Sequence, residues 1–107
     1  MEKLQFEFAG GVPADAQAAP VLVGVVSSGN LEVLVEPAAL NGACRIEVNT
    51  AARGFRNIWE AVLRDFFERS RLGDIVISIN DVGATPAVVS LRLDQAVEEF
   101  NAPTTSP

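Results

Sequence analysis

Phe55, Ile58, Trp59, Val62, Leu63, Phe66 and Phe67 recur at steps of three and four residues, the spacing of a single helical face. No other pattern in the chain restricts the fold as strongly. Arg56, Glu60, Arg64, Asp65, Glu68 and Arg69 fill the opposite side. Glu60 with Arg64 and Asp65 with Arg69 stand four apart in the favourable order, each pair adding about 0.3 kcal/mol. Gly73, directly after Leu72, is expected to supply the left-handed stop. A helix with so wide an apolar face must lie against a second apolar layer, and the flanking segments read as the strands of that layer.

Leu4, Phe6 and Phe8 alternate with Lys3, Gln5 and Glu7, the period of a half-buried strand. Ala9 to Pro20, rich in Ala, Gly and Pro, reads as a loop. Val21 to Val26 is apolar on both faces and is expected in the middle of a sheet. Gly29-Asn30, between that run and the strand Leu31 to Glu36, is a hairpin signal because both residues tolerate positive φ. Pro37 to Gly42 reads as a turn and Ala43 to Asn49 as a further strand. Beyond the helix, Ile75, Ile77 and Ile79 alternate as a strand into the turn cluster Asp81 to Pro86. There Gly83 is expected to need positive φ, and Asp81 to bond the turn amides. Ala87 to Arg92 reads as another strand, and Leu93, Ala96, Val97 and Phe100 as a short closing helix. The fold expected is α+β: a single-domain sandwich of a mostly antiparallel sheet, one long amphipathic helix packed on it and a short C-terminal helix. Residues 1–102 form the domain and 103–107 a flexible tail.

With 107 residues, one core is what the chain can build. It contains no His, which removes catalytic triads, His proton shuttles and most zinc or iron ligand sets. The single Cys44 can close no internal disulfide, and its strand face, shared with Ile46 and Val48, reads as core. A formal charge of -6 disfavours sequence-independent binding to nucleic acid or an anionic membrane. Residues 53–71 nevertheless hold five Arg against three acids, a mildly basic helix on an acidic body. Such a helix could meet an acidic partner or simply carry internal ion pairs. Glu98-Glu99 reads as a solvated face and Trp59 as core. The N-terminus lacks a basic start followed by an apolar block, and the longest apolar stretch, Ala18 to Val26, is far short of a span. A reduced, cytoplasmic location is the expectation.

Ser27-Ser28-Gly29-Asn30 is the remaining feature with chemical content. A serine at a hairpin apex offers its hydroxyl to solvent, and the following Gly leaves open space beside it. That suits modification by another enzyme, and the same residues also make a plain polar turn. It does not suit a serine nucleophile, because no His is present to act as its base.

The run Gly24-Val25-Val26-Ser27-Ser28-Gly29-Asn30-Leu31-Glu32-Val33 resembles the start of the acyl-carrier (delta) subunit of malonate decarboxylase. The likeness continues through the helix around Trp59 to Asp81-Val82-Gly83-Ala84-Thr85-Pro86, then Leu91-Arg92-Leu93 and Glu98-Glu99, and spans roughly residues 3 to 100. The citrate lyase acyl-carrier subunit is similar at greater distance. The resemblance implies that Ser28, which directly precedes Gly29, carries a 2'-(5''-phosphoribosyl)-3'-dephospho-CoA arm through a phosphodiester, making the chain a phosphoprotein. It implies a carrier with no catalytic residues and no metal of its own. Acetyl and malonyl thioesters on the arm are served by transferase and decarboxylase subunits, so that malonate becomes acetate and CO2. A holo-carrier synthase and a malonyl-transferring enzyme are the further partners implied; nucleic acid and membrane are not. Two departures stand out: Asn30 occupies a position often acidic in the family, and the Ala9 to Pro20 excursion is longer than usual. An interaction or adaptor subunit without a modified serine is the alternative.

Overall fold

The N-terminal alternation becomes strand β1, Glu2–Phe8, which buries Leu4, Phe6 and Phe8 and leaves the residues between them at the surface. The structure is a computed structural model and describes residues 1–24 and 31–102. The further elements are β2 (Val12–Pro13), β3 (Val21–Val23), β4 (Leu31–Pro37), β5 (Cys44–Thr50), α1 (Arg56–Ser70), β6 (Leu72–Gly73), β7 (Ile75–Asp81) and α2 (Pro86–Asn101). The main sheet has the order β1-β5-β7-β4-β3, with β5–β7 parallel and its other three pairings antiparallel. The expected mostly antiparallel α+β sandwich is therefore present.

Side-chain period two, combined with this register, stacks the apolar residues in rows across the sheet. Phe6, Ile46, Ile77, Val35 and Val21 form one row, and Leu4, Val48, Ile79, Val33 and Val23 the next. Both helices lie over these rows: α1 buries Trp59, Leu63, Phe66 and Phe67, and α2 buries Val89, Leu93, Ala96 and Phe100. Phe8 and Phe67 stack with ring centres 5.3 Å apart, which joins the sheet edge to α1. Arg69 joins the helices themselves. Its guanidinium takes both oxygens of Asp94 at 2.7 and 2.9 Å and also reaches Asp65 at 3.1 Å. The uncovered face is mostly polar, with Asn80 bridging Asn49 and Glu32 across three strands.

Five expectations change. Val21–Val23 is an edge strand, not a central one: Leu22 points to the uncovered face and is 57% exposed, while Val21 and Val23 pack on the core. Ala87 to Arg92 is helix, not strand. Thr85 caps it by accepting from the Val88 amide, Pro86 occupies the first turn, and Val89 extends the Leu93–Ala96–Phe100 face backwards. Val88 and Val89 raise β propensity there, but the cap and the tertiary face decide. The left-handed stop of α1 is Arg71, with φ 55°, not Gly73. Gly73 is needed for a different reason: a Cβ there would strike the carbonyl of Gly42, where three chain segments meet. Gly11 donates to that same carbonyl, and β2 pairs with β6, so the Ala9 to Pro20 excursion is pinned beneath the end of α1 and contains a short strand the composition concealed. Finally, the buried face of α1 is narrower than its apolar stripe, since Phe55 and Ile58 are 47% and 48% exposed.

Candidate functional site

The last row of the sheet differs from the others. Thr50 ends β5, Asp81 ends β7 and Leu31 opens β4; they are register partners, and all face the helices. Thr50 and Asp81 are buried polar residues, so their partners decide what they can do. Asp81 Oδ2 accepts from Thr50 Oγ1 at 2.8 Å, and Oδ1 accepts from the amides of Gly83 and Ala84 at 3.1 and 2.8 Å. Thr50 Oγ1 accepts in turn from the Ala52 amide. The expected Asp81 turn is thus found, with Gly83 at φ 120°. The carboxylate ties the ends of two strands to the entry of α2, and with three donors on it the group is a structural anchor.

Asp81→Ala removes all three acceptor contacts and leaves buried donors unmet, so a loss of about 2–3 kcal/mol is expected in urea denaturation. Asp81→Asn keeps the acceptor for the two amides and is expected to lose less. An Asp81→Ala variant within about 0.5 kcal/mol of the parent would show that the turn holds itself.

Above this row, at the carboxyl ends of the parallel pair β5–β7 and between the starts of α1 and α2, lies a cavity of about 280 Å³. Crevices at such strand ends are where open α/β sheets bind ligands. Phe55, Ile58, Trp59, Val62, Pro86 and Val89 wall it, and the Thr50–Asp81 pair forms its floor. The sequence pattern assigns the α1 residues to core and gives no sign of a hollow.

Ser27, Ser28, Gly29 and Asn30 lie outside the described residues, as do Val25, Val26 and the expected tail 103–107. The described flanks locate both ends of that segment. β3 pairs with β4 up to Val23↔Val33, and Leu31 pairs with Asp81, so the chain leaves β3 and re-enters β4 at the cavity end of the sheet. Gly24 has φ 87°, and a Cβ there would strike the carbonyl oxygen of Leu31. Only glycine fits there on both counts.

Cys44 is fully buried, and burial pushes its thiol from the ordinary 9.0 up to about 12. It should resist iodoacetamide at pH 8 in the folded chain and react once urea unfolds it; equal rates in the two states would contradict the packing. The folded chain keeps this proton where the unfolded chain releases it. The associated stability is therefore complete below pH 9 and declines as the pH climbs from there toward 12. The basic residues of α1 and its end lie over rings: Arg56 over Phe6, Arg64 over Phe8 and Arg71 over Phe67, at 4.9, 5.5 and 5.8 Å. The Glu60–Arg64 and Asp65–Arg69 pairs form as their spacing suggests. Among the described residues no group of three or more His, Cys, Asp or Glu could hold a metal ion, and no helix is long and apolar enough to cross a membrane.

Residues 18–100 match the sequence model of the malonate decarboxylase delta subunit family. The chain is 64% identical over 99 residues to the malonate decarboxylase acyl carrier protein of Burkholderia cepacia, covering 92% of this chain and 90% of that one. It is 58% identical over 102 residues to the protein of the same name from Stenotrophomonas maltophilia strain K279a, covering 95% and 96%. Among solved structures, it is similar to a chain in the crystal structure of a Pseudomonas malonate decarboxylase hetero-tetramer in complex with malonate. That likeness has a TM-score of 0.82 at 42% identity and covers 94% of this chain and 100% of that one.

Proposed function

The chain belongs to the malonate decarboxylase delta subunit family, and from that premise we propose that it is the acyl-carrier subunit of a malonate decarboxylase, with its covalent load on Ser28. The observation that carries the reading is the position of Ser28-Gly29 in sequence. The pair falls in the connection between β3 and β4, whose ends are held by Val23↔Val33 and Leu31↔Asp81. A serine in such a connection is bracketed by a rigid sheet, a firm base from which a tethered group can reach several partner sites.

The residues present fit a phosphodiester-linked arm. Ser28 supplies the hydroxyl to be esterified, and Gly29 adds no side chain beside it. The family resemblance makes the arm a phosphoribosyl-dephospho-CoA group. When bound, it supplies a thiol that holds acetyl or malonyl as a thioester, whose carbonyl stabilises the carbanion left as CO2 departs. This chain's own contribution is tethering, which raises the local concentration of the load at each partner. Catalysis falls to transferase and decarboxylase subunits, since the chain has no His, its one thiol is buried and protonated, and Asp81 is held by three donors. A holo-carrier synthase and a malonyl-transferring enzyme complete the partner set, and a cytoplasmic site of action fits a chain that depends on them.

Intact mass of the chain produced together with its modifying enzymes tests the proposal. The expected result is one added prosthetic mass, mapped to the peptide containing Ser28. A chain that stays unmodified beside active modifying enzymes, yet still assembles with the other subunits, would make it an adaptor instead.

A further inference from the structure

The cavity at the Thr50–Asp81 end is open, walled by apolar side chains and filled by no side chain of the described fold. Phe55 and Ile58 stand about half exposed at its rim, although α1 buries Trp59, Leu63, Phe66 and Phe67 and partly buries Val62. An exposed apolar rim around an apolar hollow is unfavourable in water unless something covers it. Its location narrows what that is. Leu31 is the direct strand partner of Asp81, which lies in the cavity floor, so the segment 25–30 joins the fold one strand away from the hollow. Whatever is tethered to that segment is held beside the cavity by covalent connection.

The floor restricts the chemistry further. Its ionisable group is Asp81, an anion whose oxygens already accept from Thr50 and from the amides of Gly83 and Ala84. Among the described residues no cationic side chain lines the cavity. A second carboxylate would lose its hydration there and face a like charge, whereas a neutral thioester loses little and covers the Ile58 and Val89 walls.

We propose that this cavity is the seat of the uncharged acyl-thioester end of the carrier arm, holding an acetyl group while rejecting a malonyl group. The assignment rests on the reading of Ser28 as the arm's anchor. It also gives the carrier a preference of its own. The acetyl form rests against the fold, and acquisition of a carboxylate expels the end of the arm toward a partner site.

Trp59 is the only tryptophan of the chain and forms part of the wall, so its fluorescence reports occupancy directly. Two measurements separate the seat from the anchor. In the first, S-acetylpantetheine and S-malonylpantetheine are titrated into the unmodified full-length chain. A saturable blue shift of Trp59 is expected with the acetyl probe and none with the malonyl probe over the same range. In Ile58→Gln, an exposed rim position where folding is not at stake, acetyl binding should weaken about tenfold, the loss expected when one aliphatic wall is removed. In the second, the chain carrying its arm, checked by intact mass, is compared in its acetyl and malonyl forms. The acetyl form should show the shift and the malonyl form should not. If the arm is present by mass but Trp59 is indifferent to acetylation and to the free probe, the seat is disproved while the anchor stands. If the free acetyl probe binds but no arm is ever found on the chain, the anchor fails while the cavity's preference stands. Equal binding of the two probes would overturn the preference for an uncharged group, and the cavity would then be a socket for an apolar side chain of a partner.

Discussion

Ser28→Ala leaves the chain folded, unloaded and unable to support malonate decarboxylation in the assembled complex, whereas Ser27→Ala remains loaded and active. Folding is normal because the core rows Phe6–Ile46–Ile77–Val35 and Leu4–Val48–Ile79–Val33, with the helices above them, are complete without either serine. Deleting one hydroxyl outside those rows changes stability by no more than about 0.5 kcal/mol. The complete loss of function has a chemical cause. A tether requires a nucleophilic side chain at the position that the modifying enzyme recognises, which alanine lacks, and the thiol of Cys44 offers no replacement, being buried and held protonated. In sequence Ser28 directly precedes Gly29, the arrangement that the family resemblance pairs with the loaded serine, and Ser27 stands one residue earlier. The measurement is intact mass with peptide mapping of both variants made beside the modifying enzymes, followed by malonate turnover after mixing with the other subunits. A Ser28→Ala chain that still gains the prosthetic mass would remove the assignment, and a group mapped to Ser27 would move it by one residue.

What the sequence reveals, and what it conceals, follows from how local each feature is. The α1 stripe, the β1 alternation and the triple isoleucine of β7 each repeat over several periods, and tertiary packing agrees with them apart from Phe55 and Ile58 at the start of the stripe. Asp81 and Gly83 are legible because an Asx turn is satisfied within three residues. The failures are non-local. Val21–Val23 looks central because both its faces are apolar, yet strand order depends on which neighbour arrives, and only β4 does. The N-terminal part of α2 looks like a strand because Val88 and Val89 are β-branched, and the Thr85–Pro86 start outweighs that preference. Gly73 looks like a helix stop because it follows one, but its role is to let Gly11 and Gly42 approach from far away in sequence. The candidate site divides in the same way. Ser28-Gly29 can be recognised from ten consecutive residues. The cavity is assembled from β5, α1, the Asp81–Pro86 turn and α2, and no linear pattern announces it.

That cavity also sets the relative cost of two core truncations that lie two turns apart on α1. Phe66 is fully buried, so Phe66→Ala leaves a sealed void and is expected to cost about 4 kcal/mol, within the range for aromatic truncations. Trp59 has the larger side chain and at 7% exposed is almost as well buried, which by area alone predicts the greater loss. One side of its indole, however, already borders the open cavity of about 280 Å³. Space left by Trp59→Ala merges with a hollow that solvent can enter, so fewer packed neighbours lose contact, and about 3 kcal/mol is expected. Equilibrium urea unfolding of both variants gives the comparison, with circular dichroism replacing fluorescence once the tryptophan is gone. Either loss is a large fraction of the total stability of a domain this size, about 5–15 kcal/mol. The informative quantity is the order. If Trp59→Ala proves costlier than Phe66→Ala, the hollow is closed in solution, and the chain carries a continuous core to the Thr50–Asp81 end with no room there for an acyl group.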